Sequence, residues 1–504
     1  MLEWVQSKML SYLKSVFDVV LTIVLWLILL AILLPIFPIL VAVVIARNVE
    51  TFIYRILYNA TAFKSEDVLW LMDTPKNRYV INGLTILDGV QDMKKLRYVI
   101  TSSLLLPVNE QGQKLYPKAT QHLFPGWVNH YWIEDSNFAI EKHVFQMQDA
   151  VVKSERDLQK LISYHCSKDL LSDRNSSPWE FISIPYEEKG VRKTALLLRM
   201  SHAIADGSSL FYYLTHHLAD GFVLSSENVK KFSQRQRKLM ILEGLFYLPL
   251  TYVKMMFLPS DQHALHCDDV TGNKNMSWTK PINLTLVKKI KNKLKVTVHD
   301  VLIGCLAVAL HNYFKKKKYL VPKDLTMLIP VDIRSNTEDA KTFQNNIATL
   351  MLQLPSGMKH SMQAIQETKK RTNLLKNSGE AFSIDIGWKF ASYFLPLVVA
   401  KWFIYDMVDK TTGIVSSVIG PQEPIKIDGH KIELITFWPP QSHNAGIGIS
   451  FCSYNGTLRV GIETDDVLTK SPKQLCDNFE TVFHEAAQAI LYMENHRKGI
   501  LNGM

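Results

Sequence analysis

The chain has 504 residues, a length that predicts two domains of about 200 residues each and one additional segment. A hydrophobic content of 47% against 21% charged residues excludes a disordered protein. The net charge of +10 favours an anionic partner such as a lipid surface or a phosphorylated substrate, and no zinc-finger or basic-zipper spacing indicates nucleic acid.

Five cysteines are scattered along the chain without a CxxC pair. Their spacing predicts neither a metal site nor a disulfide framework, and it fits reduced thiols in the cytosol. Exposure to a secretory lumen is the alternative, because five glycosylation triplets Asn-x-Ser/Thr are present. These triplets begin at Asn59, Asn175, Asn275, Asn283 and Asn455.

The first predicted element is an apolar run from Val19 to Ala46, interrupted only by Thr22. About 20 such residues cross a hydrocarbon core, and a run of about 28 is too short for two crossings. We therefore expect one transmembrane helix, kinked at Pro35 and Pro38. A shallow hairpin that returns to the same side is the second interpretation, and a buried core helix is the third. The flanking basic residues are too evenly distributed to orient the helix.

Mixed strands and helices follow the apolar run. The stretch "YVINGLTILDG" alternates like a strand, and "SERDLQKLISYHC" has the periodicity of an amphipathic helix. The stretch "TALLLRMSHAIADG" is predicted as a buried strand that runs into a turn, with a helix in "SSLFYYLTHHLADG" after it. Residues Lys230 to Pro259 are basic first and apolar afterwards, which fits a core helix and a helix at a membrane surface equally.

The polar stretch that starts at Ser260 predicts a link between domains, and the rest is rich in β-branched strands with helices packed on them. The predicted fold class is α/β, in the sense of mixed α+β. We expect a membrane anchor over residues 1–50, a first domain over 51–259, a linker over 260–280 and a second domain over 281–504.

A short segment, "LLLRMSHAIADGSSL", contains the pattern His, three residues, Asp, Gly at His202, Asp206 and Gly207. A histidine at the end of a strand can project into a cleft and transfer protons near neutral pH. Gly207 is expected to allow a backbone conformation that a side chain would resist. In isolation, a buried structural histidine explains the pattern better than a catalytic one.

Several segments together resemble the wax ester synthase/diacylglycerol acyltransferase family. The segment "LLLRMSHAIADGSSL" matches the HHxxxDG signature, "SEDVLWLMDTP" matches the opening segment, and "VTVHDVLIGCLAVAL" matches a helix start with the pattern Val-Thr-Val-Asn-Asp. The segments "IPVDIR", "NNIATLMLQLP" and "SSVIGP" match later family segments in the same order. The resemblance implies two domains like those of chloramphenicol acetyltransferase, with the active site at their interface.

The resemblance implies that His202 is the general base that deprotonates an acceptor hydroxyl, which then attacks the thioester of acyl-CoA. Asp206 would orient the loop by pairing with Arg334. Four residues are candidate substrate or oxyanion contacts: Asn345, Asn346, Ser416 and Ser417. A turn explains the two asparagines equally well. No metal, covalent acyl-enzyme or tightly bound cofactor is implied, since acyl-CoA acts as a co-substrate.

Three positions depart from the family pattern. Ser201 replaces the first His of HHxxxDG, His299 replaces the Asn of an Asn-Asp pair, and Ser417 replaces the Asn of a Ser-Asn-Val-Pro-Gly-Pro strand. A separate feature, the lysine run Lys315 to Lys318, could meet the phosphates of coenzyme A or lipid headgroups, or be a solvated helix end.

The implied function is acyl transfer to a long-chain alcohol or to diacylglycerol, giving wax ester or triacylglycerol. The expected location is the endoplasmic reticulum membrane, with a single-pass anchor in the bilayer and the catalytic domain in the cytosol. Two alternatives stay open. One is a lipid-binding protein that has lost catalysis, and the other is an acyltransferase for another small hydroxyl acceptor.

Overall fold

The structure, a computed structural model, describes residues 2–64, 67, 71, 73–74, 76–147, 151–170, 175–221, 232–334, 341–441 and 443–502. In these ranges the helices are α1 (Leu2–Tyr58), α2 (Met93–Ile100), α3 (Ile140–His143), α4 (Glu155–Cys166), α5 (Gly207–Tyr213), α6 (Gln234–Met256), α7 (Leu284–Leu294), α8 (Val298–Lys316), α9 (Ser361–Lys376), α10 (Glu380–Phe394), α11 (Leu397–Val408) and α12 (Lys473–Asn502).

The strands of the described chain are β1 (Thr61–Ala62), β2 (Val80–Asp88), β3 (Gln121–Pro125), β4 (His130–Glu134), β5 (Val144–Gln146), β6 (Trp179–Glu188), β7 (Val191–Ser201), β8 (Lys274–Trp278), β9 (Ile282–Asn283), β10 (Leu325–Asp332), β11 (Ile347–Leu354), β12 (Gly413–Ile419), β13 (Lys426–Ile427), β14 (His430–Trp438), β15 (Ile447–Tyr454) and β16 (Thr457–Asp465). The small sheet β1-β4-β3 lies beside the end of α1.

The first large sheet has six strands in the order β13-β14-β2-β7-β6-β5. The apolar stretch of β7, which includes Leu196 and Leu197, is buried in its centre. Strand β14 comes from the second half of the chain and pairs antiparallel with β2, so that Trp438 lies opposite Asn82. The second half therefore contributes a strand to the sheet of the first half.

The second large sheet has the order β11-β10-β12-β15-β16-β8, and β9 also pairs with β16. Strand β12 is parallel to both of its neighbours. Helix α8 belongs to the same hydrophobic core as this sheet and α12, and its residues Val301 to Leu310 are all buried. A capping box of Thr297 and Asp300 fixes where α8 begins.

Helix α1 contains the whole apolar run from Val19 to Ala46. By length and composition, α1 from Tyr12 onwards and α6 could each cross a membrane, and the bent pair α7–α8 would add a third span. Helix α1 packs on α6. Asp18 pairs with Lys254, and the Trp26 indole N–H donates to the Phe246 carbonyl over 2.8 Å, so the two helices run antiparallel.

The predicted domain boundaries stay a prediction, and secondary structure crosses them. Helix α1 continues past residue 50 to Tyr58. Residues 274–278 of the predicted linker form β8, which pairs with β16. Local sequence patterns predict a strand at β14, but they do not reveal that it pairs with β2 or that β8 forms within the predicted linker, because both depend on pairing with distant residues.

Candidate active site

His202 is the first residue after β7, and its backbone N–H donates to the Tyr79 carbonyl over 2.7 Å. The side chain is buried and lines a cavity of about 740 Å³, a size typical of ligand sites. The lining is mostly apolar, and Asn345 and Ser416 from the second half contribute polar groups. The cavity therefore lies where the two halves of the chain meet.

Asn345, just before β11, holds the histidine ring. Its Oδ1 lies 3.0 Å from His202 Nδ1, and its Nδ2 donates to Asp67 Oδ1 over 2.9 Å and to the His202 carbonyl over 3.0 Å. Because both partners of Nδ2 are acceptors, the amide can adopt only this orientation and Oδ1 must accept. The network assigns the ring hydrogen to Nδ1, so that Nε2 has the lone pair that a base requires.

The protonation state of His202 also suits a general base. Burial lowers its pKa to about 4, and the Asp206 carboxylate opposes this shift with a smaller effect. The ring is therefore neutral at pH 7. A neutral imidazole can accept a proton from a hydroxyl, whereas an imidazolium cannot.

Two residues that the sequence analysis does not single out complete this network. Asp67 is buried, and Lys118 Nζ lies 2.8 Å from its Oδ2. Lys118 Nζ also donates to the carbonyls of Ala203 and Ile204, directly after His202. Asp67 and Lys118 thus hold both the Asn345 side chain and the turn after His202 in place. Asp67 lies within "SEDVLWLMDTP", so the family resemblance marked its segment but not its role.

Asp206 is fully buried and faces Arg334, with 2.7 Å between Asp206 Oδ2 and Arg334 Nη2. Its Oδ1 accepts from the Ser209 N–H and caps α5, while Oδ2 also accepts from the Asn346 N–H. The Arg334 side chain is buried and also donates to Ser209 Oγ and to the Gln344 carbonyl. These contacts join the turn after His202 to the segment before β11.

Two family models match the chain. The model named wax ester synthase/diacylglycerol acyltransferase catalytic domain matches residues 64–234, and the model named WS/DGAT C-terminal domain matches residues 343–486. The chain belongs to the wax ester synthase/diacylglycerol acyltransferase family. It is accordingly an acyl-CoA-dependent O-acyltransferase, and the expected family is confirmed.

Individual relatives agree with this assignment. Wax ester synthase/diacylglycerol acyltransferase 2 of Arabidopsis thaliana is 25% identical over 392 residues, covering 69% of this chain and 80% of that protein. The wax ester synthase/diacylglycerol acyltransferase from Marinobacter aquaeolei VT8 has a similar structure, with a TM-score of 0.59 at 17% identity over 85% of this chain and 100% of that chain.

A more distant fold relative is the first condensation domain of the calcium-dependent antibiotic synthetase. It has a TM-score of 0.54 at 11% identity, over 86% of this chain and 96% of that chain. At such identities these structures establish the shared fold alone. The predicted two-domain mixed α+β fold is confirmed.

Of the three residues that depart from the family pattern, Ser201 lies in the turn after β7, and His299 and Ser417 lie together beside the cavity. Ser201 Oγ accepts from the Ala203 N–H over 3.3 Å and so closes the turn after β7. His299 Nδ1 and Ser417 Oγ lie 3.1 Å apart, and Ser417 lines the cavity. Two of the departures thus contact each other beside the cavity.

Three of the four candidate substrate contacts line the cavity, namely Asn345, Ser416 and Ser417. Asn345 uses both amide hydrogens on Asp67 and on the His202 carbonyl, so it positions the base and has no hydrogen left for an oxyanion. Asn346 is not part of the lining, and its side-chain amide contacts Gln344. The two serines stay the predicted oxyanion contacts.

The lysine run lies at the far end of α8 from His299. This helix has 19 residues and is therefore about 28 Å long. His299 is at the end beside the cavity, so the run lies at the opposite end of the helix. All four lysines are exposed, and both expectations stay predictions: contact with the phosphates of coenzyme A or lipid headgroups, and a solvated helix end that favours the helix dipole.

Gly207 is the first residue of α5 and lines the cavity. The expectation that it supplies a special backbone conformation is wrong, because Gly207 is not among the positive-φ glycines of the described chain. A Cβ added there would meet nothing within 4 Å. The absence of a side chain at Gly207 therefore leaves part of the cavity open.

We expect Gly207→Leu to lower kcat/KM for long-chain substrates by about tenfold or more, because its side chain would fill cavity space needed by the substrate. Gly207→Ala should retain a rate close to that of the parent protein. Thermal melting should show no loss of stability in either variant, since glycine is the least favourable non-proline residue in a helix. Equal losses of activity in both variants would indicate a backbone role instead.

Proposed function

We propose that this chain transfers a fatty acyl group from acyl-CoA to the hydroxyl of a long-chain alcohol or diacylglycerol, giving wax ester or triacylglycerol. One observation carries the proposal. It is the neutral His202, oriented by Asn345 through its Nδ1–H, at the wall of a mostly apolar cavity. A buried neutral base suits a hydroxyl, and an apolar cavity suits the hydrocarbon that carries it.

The reaction requires no tightly bound cofactor. His202 Nε2 takes the proton from the acceptor hydroxyl as its oxygen forms a bond to the thioester carbonyl carbon. The carbonyl electron pair moves onto oxygen and gives a tetrahedral oxyanion. When that intermediate collapses, the C–S bond breaks, and the coenzyme A thiolate takes the proton back from His202.

Charges that develop along this route have partners nearby. The carboxylates of Asp206 and Asp67 both favour the protonated ring and so stabilise the transient imidazolium. Asn345 Oδ1 keeps the Nδ1–H hydrogen bond throughout. The hydroxyls of Ser416 and Ser417 are the proposed donors to the oxyanion, an interaction typically worth a factor of about 10²–10³ in kcat.

We further propose that the protein is attached to the endoplasmic reticulum membrane through α1, crossing it once, with the active site in the cytosol where acyl-CoA is available. The long apolar run of α1 supports attachment. Five unpaired cysteines support a reducing compartment, since oxidising compartments favour disulfides.

The reaction is tested with protein in membranes, labelled palmitoyl-CoA and either hexadecanol or dioleoylglycerol. We expect ester from the alcohol in the larger amount and none from a His202→Ala control. Ester formed only with short soluble alcohols would favour an acyltransferase for small acceptors. No ester from any acceptor, with lipid still bound, would favour a lipid-binding protein instead.

Membrane orientation is tested on sealed microsomes with added protease. We expect the catalytic part to be digested without detergent, and we expect two of the exposed triplets, at Asn59 and Asn455, to carry no glycan. Protection from protease together with a glycan at either asparagine would overturn the cytosolic orientation.

A further inference from the structure

One face of α1 packs against the rest of the protein along the whole apolar run. The buried or half-buried positions include a set that recurs every three to four residues, which is the helical repeat: Thr22, Leu25, Leu29, Leu33, Ile36, Leu40, Val43, Arg47 and Glu50. From Thr22 to Glu50 this face is about 42 Å long, because an α-helix rises 1.5 Å per residue. That length exceeds the roughly 30 Å of a hydrocarbon core.

Polar contacts hold α1 in this position at the far end of the run. The Arg47 guanidinium donates to the carbonyls of Tyr393 and Leu395 over 2.6 and 2.8 Å, at the end of α10. The Glu50 carboxylate accepts from the backbone N–H groups of Val128 and Asn129, between β3 and β4. A helix held in this way cannot cross a bilayer while the domain stays wholly outside it. If α1 crosses the bilayer as proposed, the part of the catalytic core that packs on it therefore lies against the lipid.

Helix α1 is also a wall of the cavity that contains His202. Leu25, Trp26, Leu29 and Leu33 line that cavity. On the opposite face Leu27, Leu30 and Leu34 are 63%, 56% and 79% exposed. The wall is thus one helix thick and apolar on both sides. Helix α1 lies before both regions matched by the family models, so this wall is additional to them.

The cavity has an apolar rim formed by three helices. Five side chains both line the cavity and are 39% to 55% exposed, namely Ile28 and Ile32 of α1, Leu245 and Met256 of α6, and Phe390 of α10. Helix α11 continues this surface, with Val398 and Trp402 exposed. An exposed apolar surface of this kind is unfavourable in water and marks a contact with a membrane or another protein. Lipid is the favoured partner, because the surface includes α1, which is long and apolar enough to cross a membrane.

We infer that the hydrocarbon chain of a lipid substrate enters sideways from the bilayer through this rim and lies against Leu25, Leu29 and Leu33 of α1. Helix α1 is then a substrate-binding element as well as an anchor. The inference rests on the proposed function, because it assumes that the bound lipid then takes part in acyl transfer. Binding of the hydrocarbon chain can be measured separately from that reaction. Either the acyl chain or the chain of the acceptor fits the same apolar wall.

The rim is tested with a charge placed on either face of α1. Ile28→Asp puts a carboxylate at the rim, and Leu27→Asp puts one at nearly the same depth on the outer face, so both substitutions disturb insertion alike. With hexadecanol in phosphatidylcholine vesicles and palmitoyl-CoA, we expect Ile28→Asp to lower kcat/KM by about tenfold or more and Leu27→Asp by less than about threefold. Equal losses in the two variants would overturn the inference.

A second pair of variants uses size instead of charge. Leu29→Trp fills the cavity, whereas Leu30→Trp enlarges the outer face. Comparing octanoyl-CoA with palmitoyl-CoA, and octanol with hexadecanol, identifies the chain that lies against α1. We expect Leu29→Trp to reduce the use of the longer member of one series by about tenfold or more. A loss independent of chain length in both series would overturn the inference.

Binding is measured without turnover in the His202→Ala protein. A diazirine-bearing hexadecanol in the vesicles is photolysed, and labelled peptides are mapped by mass spectrometry. We expect labelling of residues 25–33 that excess hexadecanol suppresses and that Leu29→Trp reduces. If the parent protein shows no acyl transfer and this labelling is still seen, the proposed function is rejected and this inference is kept. Labelling that excess hexadecanol does not suppress would reject the inference, whatever the activity.

Discussion

Replacing His202 with alanine should lower kcat by at least about 10²-fold, because general-base catalysis typically contributes a factor of 10² to 10⁴. His202 has a neutral ring, and Asn345 fixes its tautomer. No other side chain shown to contact this part of the cavity has both properties. The measurement is ester formation from labelled acyl-CoA by equal amounts of purified variant and parent protein.

Ser201→Ala is the matched control, since this hydroxyl accepts a hydrogen bond within the turn. Its activity should stay within about threefold of the parent, as one hydrogen bond contributes only about 1 kcal/mol to stability. A base acts when unprotonated, so the parent protein should keep its kcat/KM down to about pH 5 and lose it towards pH 4, where the ring titrates. An acid limb near pH 6.5, or equal damage by both substitutions, would contradict the assignment.

Replacing Asp206 with asparagine should lower the free energy of unfolding by about 3–5 kcal/mol, because the buried Arg334 then loses its buried anionic partner and keeps only the half-exposed Asp332. Both side chains are nearly inaccessible, at 0% exposure for Asp206 and 4% for Arg334. Activity should fall together with stability, since Asp206 joins the turn after His202 to the segment that carries Asn345. Thermal melting in detergent and the acyl-transfer rate provide the two readouts.

Asp332→Asn is the control, because Asp332 contacts the same arginine at 3.3 Å but is 45% exposed. An exposed pair contributes at most about 1 kcal/mol, so its melting temperature should change little. Combining Asp206→Asn with Arg334→Met should restore part of the lost stability by removing the buried positive charge that Asp206 no longer balances. Normal stability with no activity in Asp206→Asn would place Asp206 in the chemistry instead.

The motif around His202 could be predicted because its residues are consecutive in one strand and one turn. The residues that make it a base could not. Asn345 is 143 positions from His202 and 278 positions from Asp67, and spacing in the chain says nothing about such contacts. Gly207 was misinterpreted because glycine at a turn often indicates a positive φ, whereas here it leaves room for a ligand.

The sequence also does not predict that α1 forms a wall of the cavity. Amphipathic helices reveal their packed face through alternating apolar and polar residues. Between Val19 and Ala46 nearly every residue is apolar, so the repeat of buried positions has no counterpart in the sequence. Contacts with α6 and α10 select the inner face. The apolar run therefore predicts a membrane helix but not its part in substrate binding.

Strand β14 of the second half pairs with β2 of the first half, so this pairing can form only late in translation. On the ribosome, β2 is complete long before β14 exists, since Asp88 and His430 are 342 positions apart. At about 5–20 residues per second, one edge of β2 waits some tens of seconds for its partner. An unpaired strand edge invites pairing with other chains. The nascent first half therefore exposes this edge to pairing with other chains until translation is nearly finished.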